Sequence, residues 1–120
     1  MKLIELDTTA SEQTQRVELD GYETDLRVYW SELPEHIATI AGNNGQLFMD
    51  IKNDIIDIKN IALTLGNELM LPYSFSDFGG FIVVSDSNKN PDIDGNVEWS
   101  LNYVPIDELT EIRGLYGSVV

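Results

Sequence analysis

The chain has 120 residues, with 42% apolar and 23% charged side chains, which fits one ordinary globular domain of modest core. It contains no Cys, which excludes disulfides, thiolate metal sites and thiol nucleophiles. Seven basic against 21 acidic residues give a net charge of −14, so the basic footprint that nucleic acids and anionic membranes require is absent.

No run approaches the roughly 18 apolar residues of a membrane span. The opening MKLIELDTTASEQTQ has neither the apolar core nor the cleavage pattern of a secretory signal. Neither nucleic acid nor membrane is therefore expected as a partner. The acidity reads as solubility of a crowded surface, or as complementarity to a basic partner.

In chain order, Lys2–Leu6 is expected as a short strand with Ile4 and Leu6 on one face. Asp7–Gln15 is polar and reads as a loop, so residues 1–15 are taken as a first strand plus a mobile arm. Arg16–Leu19, Asp20-Gly21 and Tyr22–Trp30 make the best-defined hairpin. Asp-Gly tolerates the positive φ of a two-residue type I′ turn. Folding there sets Leu19 against Tyr22 and Val17 against Thr24. Val17, Leu19, Tyr22, Thr24, Leu26, Val28 and Trp30 then share a face. Arg16, Glu18, Glu23, Asp25, Arg27 and Tyr29 take the other, and a slip by one residue would invert the partition.

Ser31–Gly45 breaks the alternation at Pro34 and Asn43-Asn44-Gly45. It holds the only histidine, His36, which reads as a surface residue for want of a nearby nucleophile or second ligand. Leu47, Met49 and Ile51 alternate with Phe48, Asp50 and Lys52. A turn at Asn53-Asp54 is expected to return the chain as Ile55–Leu65. It would place Ile51 against Ile56, Met49 against Ile58 and Asp50 against Asp57. Gly66-Asn67 reads as a further turn. Tyr73–Phe78 is irregular and aromatic, and Gly79-Gly80 precedes the apolar strand Phe81–Val84, expected to be covered on both faces. Ser85–Gly95 is an exposed loop. Asn96–Val104 restores period two, with Val97, Trp99, Leu101 and Tyr103 inward. Residues 105–120 form a C-terminal extension with a short helix capped by Asp107. Short strands with turns between them predict an all-β fold, a small antiparallel barrel or sandwich of one domain spanning 1–120.

Candidate chemistry is sparse. Asn90–Glu98 spaces oxygen ligands with a Gly at the sixth place, as in a calcium loop. Yet Leu101 stands where the bidentate Glu belongs, so no cofactor or metal is assigned. Asp50 with Asp57 is the only carboxylate pair that the expected hairpin brings together, and it reads as an exposed face balanced by Lys52 and Lys59. Catalysis needs a selected pair in a cleft, and nothing selects one. The exposed aromatics are the remaining candidates: Tyr73, Phe75, Phe78 and Tyr29 are expected as partner contacts.

A succession of segments carries a family resemblance over about Arg16 to Tyr103. It runs VELDGYETDLRVYW, then LFMDIKNDIIDIKNIALTLG, then NELMLPYSFSDFGGFIVVSD, then NVEWSLNY. In order and spacing these resemble the small plug-like baseplate proteins of contractile-tailed phages. The chain differs from that pattern in having Asn53-Asp54 where a Gly-containing turn is expected, and Phe48 in place of a second Trp. The resemblance implies a non-enzymatic virion component, made in the host cytoplasm and docked at the tail tip near the hub and tube end. Its partners would be other baseplate proteins and copies of itself, and it would help to plug or complete the tail channel. The residues alone also admit a free-standing sandwich module that holds a carbohydrate or calcium.

Overall fold

The computed structural model describes residues 1–32, 45–66, 68–70, 78–95 and 97–109. Seven strands form two antiparallel sheets among them: β1 (Lys2–Ile4), β2 (Glu12–Leu19), β3 (Tyr22–Glu32), β4 (Gly45–Lys52), β5 (Asp57–Ala62), β6 (Gly80–Ser85) and β7 (Trp99–Val104). The order is β1-β7-β6 in one sheet and β2-β3-β4-β5 in the other, and the sheets do not close into a barrel. The all-β expectation holds, as a sandwich.

The first hairpin takes the expected register: Val17 pairs with Thr24 and Leu19 with Tyr22. Asp20 and Gly21 sit at φ 50° and 83°, the conformations that the tight turn needs. The strand starts earlier than its composition indicates. Trp30 N–H donates to Ser11 O at 2.8 Å, so the ladder runs back through Glu12–Gln15, expected to be part of an arm. Gln13 and Gln15 continue the inward face. The Gln13 side-chain amide also pairs with both backbone groups of Asp7, at 2.9 and 2.6 Å.

The second hairpin departs from expectation. Ile51 pairs with Ile58, Lys52 with Asp57 and Met49 with Ile61, so neither Ile51–Ile56 nor Asp50–Asp57 is a pair. Asn53 is the cause. Its Oδ1 accepts from the amides of Ile55 and Ile56, both at 2.9 Å, and its own N–H donates to Ile56 O. This side-chain-organised turn is longer than a two-residue one. A bulge then follows where the register shifts between Met49 and Ile51.

One core cluster draws on both sheets, with Leu26, Val28, Met49 and Ile51 from one and Ile4, Phe81, Leu101 and Tyr103 from the other. Gly80–Val83 is buried on both faces as expected, while Val84 is 47% exposed. A second, smaller cluster of Ile82, Val104 and Leu109 covers one end of the three-stranded sheet's outer face. The expected Asp107-capped helix is instead a 3-10 turn, Ile106–Glu108, with Pro105 at the cap position. The rest of that extension, the turn residue Asn67 and the loop around His36 lie outside the described residues.

The two sheets are tied at one end by Asp20. Its Oδ2 accepts from Gly79 N–H at 3.1 Å, from Ile106 N–H at 3.0 Å and from the Tyr103 hydroxyl. The hydroxyl in turn accepts from Gly79 N–H at 2.7 Å. Gly79 and Gly80 are there for space. A Cβ on Gly79 would lie 1.9 Å from Val104 O, and one on Gly80 would lie 1.5 Å from Glu68 Oε1.

Two outcomes follow from this packing. Gly79→Ala meets backbone that cannot swing aside, so it should cost about 3 kcal/mol in urea unfolding. Burial, and then the hydrogen bond to Asp20, hold the Tyr103 hydroxyl far above the ordinary tyrosine range. The unfolded chain releases that proton near pH 10.0 while the fold retains it. Stability should therefore be insensitive to this group below pH 10 and decline above it. Tyr103→Phe should flatten that alkaline decline even where it lowers stability at neutral pH.

Candidate functional site

Of the four aromatics expected as contacts, the structure places Tyr29 on the outer face of the four-stranded sheet. Phe78 is only 1% exposed. Its ring packs on Phe81 and Tyr103 at centroid distances of 6.3 and 5.2 Å, so it belongs to the core. Tyr73 and Phe75 lie outside the described residues.

Tyr29 sits in a row built by strand pairing. It pairs with Glu12 on β2 and with Phe48 on β4, while Arg27 follows the same face two residues earlier. The Tyr29 and Phe48 rings stack at 5.9 Å with 25° between their planes. The Arg27 guanidinium lies 4.3 Å from the Tyr29 centroid, within cation–π range. Arg27 also donates from Nε to Glu12 at 3.1 Å and from Nη1 to Asp50 at 3.4 Å.

Asp50 gathers this face. Its Oδ1 accepts from the Tyr29 hydroxyl at 3.2 Å and from Asn60 N–H at 2.9 Å, and its Oδ2 accepts from Arg27. The Tyr29 hydroxyl also bonds Asn60 Oδ1. Asn60 occupies the bulge at φ 62°, a conformation that Asn adopts more readily than its β-branched neighbours. The sequence signal was present, as a lone Asn inside the Ile-rich run DIKNIAL, but it did not identify Asp50 as the partner.

The electrostatics are those of a balanced surface. The hydrogen bond from Arg27 holds the Glu12 carboxyl below its usual range. Desolvation, followed by the nearby Asp50 charge, raises the Tyr29 phenol above its own. Arg16 bonds Asp25 at 3.0 Å, and Lys52 stands opposite Asp57. Arg27, Tyr29 and Asn60 surround Asp50 with donors, and its partners among the described residues include no second carboxylate. The arrangement is a rigid patch of Tyr, Arg and Phe, the composition that anchors protein contacts.

In the calcium-like loop, Asp92 makes hydrogen bonds within the loop and to the strand that follows. Asp92 Oδ1 accepts from Asp94 N–H at 3.2 Å, and Asp92 O accepts from Trp99 Nε1 at 3.1 Å. Among the described residues, no three His, Asp or Glu side chains are gathered closely enough to hold a metal.

Set against known protein families, residues 1–106 match the family of the cyanophage baseplate Pam3 plug gp18. No curated protein matches the chain.

Removing the acceptor at the centre of the Tyr29 face leaves Arg27, Tyr29 and Asn60 without it. Asp50→Ala should therefore cost about 1–2 kcal/mol in thermal or urea unfolding. Asp57→Ala, exposed and opposite Lys52, should cost under about 0.5 kcal/mol.

Proposed function

This chain belongs to the baseplate plug family of cyanophage, and on that premise we propose that it is a structural subunit docked at the tip of a contractile tail. Its neighbours there are the hub, the end of the tube and further copies of itself. Together they plug or complete the tail channel. The family match over residues 1–106 carries this reading. The fold agrees with it in kind: two sheets locked around one core make a body that transmits load without rearrangement.

The role is structural rather than catalytic, and the contact is made by shape and by a pre-ordered surface. Tyr29, stacked between Arg27 and Phe48 and tied to Asp50, is the contact centre in this proposal. Its side chain is already fixed, so docking would lose little rotamer entropy there.

Mass spectrometry of purified particles should recover the chain, and density for it should lie at the distal end of the tail. Particles with a full tail proteome but without this chain would refute the reading. Tyr29→Ala should leave the purified chain folded and lower its incorporation into particles by at least about tenfold, as loss of an interface anchor does. Unchanged incorporation would remove Tyr29 from the contact.

A further inference from the structure

The sandwich has an open seam between β1 and β2, where the two sheets meet edge to edge without a ladder. The hydrogen-bonding alternation shows which backbone groups face it. Trp30 N–H bonds Ser11 O, so the odd residues of β2 turn toward β3. Glu12, Thr14, Arg16 and Glu18 therefore turn their N–H and C=O toward the seam. On β6, Phe81 O accepts from Leu69 N–H, away from β7, at 2.8 Å. The register then turns Tyr103 of β7 toward Lys2, and leaves Leu3 facing the seam.

Among the described residues no strand fills this gap. A groove of about 250 Å³ runs along it, bounded by Lys2–Glu5 on one side and Gln15–Val17 on the other. The direct bridge is a side chain: Lys2 Nζ donates to Glu18 O at 3.3 Å. A lysine reaching a strand's edge carbonyl stands where a backbone donor of a neighbouring strand would.

We propose that this seam receives an extended, basic segment of a neighbouring protein, added as a strand between β1 and β2. The inference rests on the docked-subunit reading above. Two open edges facing each other select an extended backbone, because only a strand offers donors and acceptors to both. Charge selects a basic one. Glu18 stands directly across from Glu23, and neither carboxylate is paired with a cation among the described residues. Exposed Glu5 and Lys2 line the groove from the β1 side, and Arg16 across from them is already held by Asp25, so Lys2 stands against the carboxylates of Glu5, Glu18 and Glu23. A lysine or arginine on the outward face of the incoming strand sits between these acids. Its inward side chains cover the partly buried Val17. A second copy is disfavoured as the occupant, because it brings another −14 charges to the same place.

The probe is a synthetic strand, acetyl-Thr-Lys-Val-Lys-Val-Lys-amide, compared with its counterpart carrying Glu for each Lys. The full chain is titrated with each while amide exchange is followed by NMR. The cationic peptide should slow exchange at Leu3, Thr14 and Arg16 by at least about tenfold, and the anionic one should not. Its affinity should weaken as salt rises. Thr14→Pro removes a seam-facing N–H that the β2–β3 ladder does not use, and should weaken binding by about fivefold. Glu18→Lys should weaken it without any change to the backbone. Equal binding of both peptides, or protection appearing at the β5 or β6 edge instead, would overturn the proposal, as would no protection at all. The titration uses no particles, so such a failure leaves the baseplate reading to be judged by the particle proteome.

Discussion

The fold depends on one carboxylate at the tip of one turn. Asp20 has the backbone conformation of a type I′ turn and also accepts hydrogen bonds from Gly79, Tyr103 and Ile106. Those donors lie at the start of β6, the end of β7 and the turn that follows. The hairpin of the four-stranded sheet is thereby fastened at its turn to the three-stranded sheet. A carboxylate that accepts several donors away from bulk water is worth more than a surface ion pair, and its loss would strand buried donors. The close approach also dictates the small residues beside it, since Gly79 and Gly80 leave no room for a Cβ.

Fastening at one end allows the other edges to differ. The β1–β2 seam stays open, and the outer face of the four-stranded sheet is finished by polar and aromatic contacts. On that face Asp50 keeps Arg27 as its partner across β3 and also accepts from Tyr29, while the bulge at Asn60 brings the Asn60 amide to it in place of a β5 partner. The rings of Tyr29 and Phe48 are thereby held in place before any partner arrives. Both features suit a subunit whose work is to be fitted among neighbours. A stiff core keeps the edges in position, and the edges and the patch carry the recognition.

Much of this was legible in the chain itself. The Asp20-Gly21 turn, the β2–β3 register and the inward face of β7 follow from period-two alternation and the φ demands of a tight turn, which are local properties. The same logic failed at Asn53, because an Asn side chain can organise a longer turn and nothing in the pattern tells the two apart. It failed again at Phe78. An aromatic next to a Gly-Gly pair looks like loop, yet its ring closes the core beside Tyr103. Of the two expected contact residues among those described, Tyr29 emerged on a surface and Phe78 did not, and the hydrogen-bond partners of Tyr29 lie 21 and 31 residues away.

The sequence by itself determined the all-β class, the faces of the strands, the acidic balance of the chain and its lack of cysteine. Alternation, turn residues and composition are carried by neighbours along the chain. Tertiary structure alone decided that Asp20 would tie the sheets, that Asp50 would gather Tyr29, Arg27 and Asn60, and that β1 and β2 would face each other unpaired. Each of these joins residues far apart in sequence. A carboxylate's partners are set by the meeting of two sheets in space, and no local pattern records that meeting.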